Sequence, residues 1–386
     1  MKEFFKKMIA TWTAYAIFLF VGYNSMVPGP LSFSIANTLQ VDLSAISYAT
    51  GALYLGRVIS VQIAPQIILT QPYRRTFFFL WLGLTGALFL SALAASYPIF
   101  FLGWFWVGIM VGAMTFYANY FIVASHNKNE RTSKLNMLNF FFSLGAISGP
   151  FVVGALLTRD FSWQVPYLVG SVLLLPSLIG LKVNPEILKP RTDAPATDSY
   201  SWTPPLKWLI VGLLGYMIGE AGFFFWIVPY LQESIYFPTD QAAFCLSLFW
   251  LFVGIGRFSA GKIAKVVKTE HFLYALLSTA VVGYWGIILL PAKSLIFFWV
   301  ALAGLGCSGV YATILSQGTQ LLEYPSPKLV SALVNIGTLG TVSGLVLYGV
   351  LKNFLTIPTL FVVAAFSMMI SLAGVVQAFR VIRKSR

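Results

Sequence analysis

Glu220 is the only carboxylate in the long apolar run from Leu206 to Leu231, where it stands in the stretch GEAGFFFWIVPYL. Set in a helix, it lies about 20 Å from Lys207 at about 1.5 Å per residue, near the middle of a membrane-spanning segment. An acid there must stay protonated, pair with a cation, or face a water-filled cavity. The first and third conditions describe a proton carrier. A protonated side chain that only ties its helix to a neighbour is the structural alternative, and position alone leaves both open. No second carboxylate competes for the role: Asp42, Asp160, Glu233 and Asp240 fall in connections on one side, and the remaining acids in polar segments on the other.

Other polar residues inside apolar runs are few. Arg57 and Arg257 each follow a glycine and are expected nearer one end of their helices, where a long side chain can snorkel to the interface or cap helix ends. Gating or structural roles are expected for both, and Arg57 is also the one cation placed to meet a substrate. Amides suit a ligand rich in hydroxyls because they donate and accept at once. Asn24, Asn119, Asn335 and the pair Gln317 and Gln320, three residues apart, supply them, and the same groups could instead join helices. Trp226, Tyr230 and Trp250 could line a site, although aromatics make up 16% of the chain and mark membrane interfaces generally. In SLGAISGPFVVGALL, Gly145, Gly149 and Gly154 with Pro150 form a small-residue stripe whose physical default is close helix packing with a bend.

Several chemistries find no support. Cys245 and Cys307 both lie in apolar runs, so neither a disulfide framework nor a thiolate metal site is suggested. His126 and His271 fall in polar connections and are read as solvated. No acid–base pair or activated nucleophile can be assembled inside the apolar segments, so an enzyme is not expected, nor a cofactor or a metal.

The elements that position these residues are membrane helices. The chain is 58% hydrophobic and 10% charged, whereas about a quarter of a soluble domain is charged. Its net charge of +13 is scattered among connections rather than clustered on a polar surface, which argues against a nucleic-acid partner. Twelve apolar runs are long enough to cross a bilayer. The first six are Met8–Ile35, Ser44–Leu69, Thr76–Ala95, Pro98–Ala124, Leu135–Leu157 and Val165–Leu181. The second six are Leu206–Leu231, Ala243–Ile263, Phe272–Leu290, Leu295–Leu321, Leu329–Leu351 and Pro358–Phe379. A linker over 182–206, rich in Pro, Thr, Asp and Ser, separates a first half at 1–181 from a second at 207–386. Lys and Arg crowd the termini, the linker and alternate connections, while the opposite side holds only Arg159, Lys293 and Lys352. The positive-inside rule then places both termini and the linker in the cytoplasm.

The halves repeat. Gly56-Arg57 aligns with Gly256-Arg257, Tyr15 with Tyr216, and Val27-Pro28 with Val228-Pro229. In the fifth and eleventh runs Leu144-Gly145 aligns with Leu339-Gly340, and Ser148-Gly149 with Ser343-Gly344. Two parallel six-helix repeats resemble the major facilitator superfamily of transporters. The pattern Gly219, Glu220, Trp226, Tyr230 and the stretch FWLFVGIGRFSAGKIA are similar to the fucose permease-like, sugar:proton symporter branch. SLFWLF and SPKLVSALVNIGTLGT are similar to its TsgA-like members.

The resemblance implies that the first, fourth, seventh and tenth helices line a central cavity, with Glu220 facing it. It also implies a tryptophan platform for a sugar ring and uptake by proton symport through alternating access. The substrate contacts then expected are Asn24, Asn119, Trp226, Tyr230, Trp250, Gln317, Gln320 and Asn335. The chain departs from the branch where Asn24 and Asn119 replace acids of the first and fourth helices, and in LTQPYRR, a degraded form of the usual charged loop. Proton-coupled efflux and a non-transporting sensor that keeps the fold are the alternatives. A monomer in a bacterial inner membrane, in contact with lipid, protons and a small solute, is expected.

Overall fold

A computed structural model describes residues 2–126, 128–183, 202–263, 267–321 and 327–384. Of the linker expected at 182–206, residues 184–201 lie outside this set. Every regular element among the described residues is helical, and the chain divides into two compact units, Met1–Asp193 and Ala194–Arg386. The first unit holds α1 (Lys2–Met26), α2 (Pro28–Leu39), α3 (Leu43–Thr70), α4 (Tyr73–Ala92), α5 (Tyr97–Ser125), α6 (Lys128–Leu157) and α7 (Val165–Leu174), which runs on into a 3₁₀ segment, Leu175–Lys182. The second holds α8 (Pro204–Ser234), α9 (Thr239–Ile263), α10 (Thr269–Leu289), α11 (Lys293–Cys307), α12 (Val310–Gln320), α13 (Pro327–Lys352) and α14 (Ile357–Lys384).

Only helices satisfy their own backbone groups in hydrocarbon, so long apolar runs become helices there. Ten described spans are long and apolar enough to cross a membrane, and α1 with α2 makes an eleventh, bent by 53°. The helix α3 is 28 residues long, ample to cross, but Arg57, Gln62, Gln66 and several hydroxyl residues dilute its apolar character. It lies at the second of the twelve runs expected, and among the described residues ten to eleven spans, not twelve, are long and apolar enough to cross.

Three spans expected as single helices are interrupted. The first stops at Met26 and restarts at Pro28, where Val-Pro-Gly-Pro removes two backbone donors within three residues and adds a flexible glycine. The sixth tightens to 3₁₀ geometry at Pro176. The tenth breaks between Cys307 and Val310, at Ser308 and Gly309.

Packing follows from small residues, since lipid offers no hydrophobic drive between helices. A Cβ on Gly145 of α6 would lie 2.0 Å from the Leu19 carbonyl oxygen of α1, and one on Gly108 of α5 would lie 2.0 Å from the Leu53 oxygen of α3. Only glycine permits these approaches. Tyrosines take up carbonyls near the irregular segments: Tyr23 donates to Pro166 O at 2.8 Å and Tyr73 to Gly180 O at 2.6 Å. Large apolar side chains such as Leu102, Val172, Phe258 and Val282 remain exposed on helices, the exposure expected of helix faces that meet lipid.

Candidate functional site

Residues one helical turn apart share a face, so α8 presents Tyr216 and Glu220 together. Both are buried, at 1% and 9% exposure. The phenol oxygen of Tyr216 lies 2.5 Å from Glu220 Oε1 and 3.0 Å from the carbonyl oxygen of Cys307. That carbonyl is available because α11 ends at Cys307; in a continuous helix it would accept from the amide four residues on. The next carbonyl is used as well: Arg257 Nε of α9 donates to Ser308 O at 3.3 Å, with its guanidinium 5.8 Å from the Trp250 ring. The break in the tenth span is thus held by one side chain from α8 and one from α9. Gly256 keeps the approach open, since a Cβ there would meet Ser308 Oγ at 2.2 Å.

A phenol carries one proton, so Tyr216 cannot donate to both acceptors at once. If Glu220 is protonated, its acid proton goes to the phenol oxygen and the phenol proton goes to Cys307. If Glu220 is ionised, the phenol proton turns to the carboxylate and the Cys307 carbonyl loses its donor. Both directions fit an O···O separation of 2.5 Å. Behind the acid, Tyr284 of α10 donates to Gly219 O at 3.2 Å and fixes this stretch of α8.

The remaining expected site residues are scattered through both units. In the second, Trp226 is fully buried on α8, with its indole nitrogen lacking an acceptor among the described residues and its ring edge-on to Phe225 at 5.1 Å. Tyr230 stacks on Phe361 at 5.0 Å, and Trp250 packs edge-on to Phe249 at 5.6 Å. Gln317 donates to Gln320 at 3.0 Å, and Gln320 to Ser316 at 3.1 Å, so these amides form a chain along α12. Asn335 is half-buried on α13. In the first unit, Asn119 donates back to Thr115 O of its own helix at 2.9 Å, while the buried amide nitrogen of Asn24 has no acceptor among the described residues. Gly149 and Pro150 lie on α6, where a Cβ on Gly149 would come within 2.9 Å of Tyr23 O.

Two expectations change. His126 is not solvated: it is 8% exposed at the end of α5, with Thr11 Oγ1 of α1 at 2.8 Å and Glu130 Oε2 of α6 at 3.2 Å, because the end of α5 folds against both helices. Arg57 does not snorkel. It sits midway along α3, its Nε and Nη2 are buried, and Nη1 donates to Ser25 Oγ at 3.1 Å. Sequence reasoning missed Tyr216 as a site residue, although its spacing from Glu220 was visible, and it missed the carbonyls of Cys307 and Ser308.

The sequence matches the family description Major Facilitator Superfamily over residues 13–344. It is 25% identical over 348 residues to Protein TsgA of Shigella flexneri, covering 88% of this chain and 86% of the relative, and equally to Protein TsgA of Escherichia coli O9:H4 (strain HS). In fold it is similar to a variant of the nucleoside transporter NupG, with a TM-score of 0.75, 12% identity and coverage of 97% and 100%. It is also similar to a bacterial homologue of the human lysosomal transporter Spinster in an inward-facing, occupied conformation, with a TM-score of 0.67, 17% identity and coverage of 96% and 93%.

Proposed function

This multi-pass membrane protein belongs to the Major Facilitator Superfamily, a family of transporters, and we propose that it takes up a small polar solute by alternating access, driven by a proton carried on Glu220. A sugar-like solute is the first choice, on the resemblance of the seventh and eighth spans. The protein works as a monomer in a bacterial inner membrane with both termini cytoplasmic.

The observation that carries the coupling is the single phenol proton of Tyr216 set between Glu220 and the broken tenth span. With Glu220 protonated, the chain acid–phenol–carbonyl is complete, and the break at Cys307 is held from α8. Loss of the proton creates a carboxylate that draws the phenol hydrogen away. A hydrogen bond to a charged group is worth about 1.5–3 kcal/mol and a buried carbonyl left without a donor costs about 1–3 kcal/mol. The two terms are of similar size, so neither arrangement is locked and proton occupancy can select between them. Arg257, on the neighbouring carbonyl, keeps the second hold on the break in either state.

The reading is tested in proteoliposomes carrying an entrapped pH dye, with sugars, nucleosides and organic acids added outside one at a time. Uptake by symport predicts that a transported solute acidifies the lumen. Alkalinisation would mean proton antiport, and solute entry without proton movement would end the coupling proposal.

A further inference from the structure

The two repeat-matched arginines differ in what meets their charge. Arg257 has a backbone carbonyl on its Nε, and its unit contains the buried acid Glu220. Arg57 has neither. The carboxylates of the first unit are Glu3, Asp42, Glu130, Asp160, Glu186 and Asp193, and none lies within an apolar run: Asp42 precedes α3, Glu130 is in the first turn of α6, and Asp160 follows α6. The partners that Arg57 does have are Tyr54, through its ring and its hydroxyl, and the hydroxyl of Ser25, all neutral. Its guanidinium lies 4.7 Å from the centre of the Tyr54 ring, and its Nη1 donates to Ser25 Oγ. The Ser25 proton is itself given to Val21 O at 2.5 Å, so the hydroxyl turns a lone pair to the arginine. A buried cation is costly unless an anion and further hydrogen bonds compensate it.

The unused groups have a particular geometry. Nε and Nη2 are buried and have no acceptor among the described residues, and these two nitrogens form one edge of the guanidinium. Their N–H bonds are parallel and match the two oxygens of a carboxylate, or of another oxyanion, in a bidentate contact. Ser25 and Tyr54 hold the opposite end and the face of the group, which leaves that edge as the oriented one. We propose that Arg57 is an anion-binding residue and that the solute carried by this protein bears a carboxylate or comparable oxyanion. This rests on the transport reading above and narrows its substrate class from any small polar solute to an anionic one.

The experiment measures binding rather than transport, so it is independent of coupling. Purified full-length protein in detergent is melted with glucuronate, lactate, succinate or inorganic phosphate, and with glucose and glycerol as neutral counterparts. Ligand that binds the folded state raises the melting temperature in a saturable way. The proposal predicts such a rise with a member of the anionic set and none with its neutral counterpart; a response to phosphate without the carboxylates would identify a phosphoryl rather than a carboxylate group. Arg57→Gln abolishes the rise, and Arg57→Lys, which keeps charge but loses the fork, weakens affinity about tenfold or more. The readout is equilibrium binding to the unaltered protein, so a failure of coupling leaves this result standing. Stabilisation by neutral solutes alone, no response to any of the anions, or unchanged anion affinity in Arg57→Lys would overturn the proposal.

Discussion

The two units follow one sequence pattern and depart from it in opposite ways. Val27-Pro28 and Val228-Pro229 align, yet the first pair marks a 53° bend between α1 and α2 while α8 runs through Pro229 without interruption. The difference lies in the two residues after each pair, Gly29-Pro30 in the first unit and Tyr230-Leu231 in the second. One proline is tolerated in a membrane helix, whereas a second proline and a glycine within the same turn remove the hydrogen bonds that would bridge it. In the fourth span of each half the pattern reverses, because α5 is continuous and its counterpart is broken into α11 and α12. Charge reverses as well. The position matching Glu220 is Leu19, and the tyrosine matching Tyr216 is Tyr15, which stacks on Phe141 at 4.8 Å instead of holding an acid. The repeated sequence pattern therefore carries a cation with no acid inside the apolar runs of one unit, and an acid joined to a helix break in the other.

The sharpest test of this asymmetry uses the aligned glycines of the fifth and eleventh spans. A Cβ on Gly145 would lie 2.0 Å from backbone oxygen, while one on Gly340 would lie 2.9 Å from the Met217 side chain. Gly145→Ala must displace a helix, so the melting temperature and the yield of folded protein are expected to fall well below those of Gly340→Ala. Equal losses would show that the units pack alike after all. A smaller effect is expected at Arg257. Arg257→Ala removes one of two holds on the broken tenth span and should slow transport several-fold while equilibrium affinity for the solute stays within a few-fold, in contrast to the loss expected at Arg57. Abolished binding in a folded Arg257→Ala protein would refute that division of roles. The smallest effect is expected for Pro30→Ala, which leaves Pro28 alone as Pro229 is alone in α8. Spin labels at positions 12 and 37 should move apart by a few ångström as the bend relaxes, with little change in stability. An unchanged distance would assign the bend to packing rather than to the second proline.

Much of the fold was legible because the length of an apolar run reports directly on its capacity to cross a bilayer. The breaks were not. Val-Pro-Gly-Pro sits in an apolar run that does not pause, and membrane helices tolerate single prolines, so the first span read as one helix. Cys-Ser-Gly in the tenth span is small and weakly polar and carries no stop signal. For the site, Glu220 announced itself as an acid without an apolar excuse. Tyr216 did not, since one tyrosine in so aromatic a chain means little until its oxygen is seen between two acceptors. The carbonyls of Cys307 and Ser308 are invisible in principle: backbone has no letter, and only a helix end frees it. Arg57 was visible, but its depth was misjudged because α3 extends as far beyond it as before it.

The central claim is that the proton on Glu220 drives accumulation. Glu220→Gln keeps the size of the side chain and a donor for Tyr216 but cannot titrate. The measurement compares two assays on that variant in proteoliposomes: accumulation of solute under an imposed inward proton gradient, and exchange of internal for external solute with no gradient. The account predicts that accumulation collapses to equilibration while exchange stays within a few-fold of wild type, because exchange does not require the proton to leave. Accumulation at the wild-type level in Glu220→Gln would contradict it and make Glu220 a structural acid.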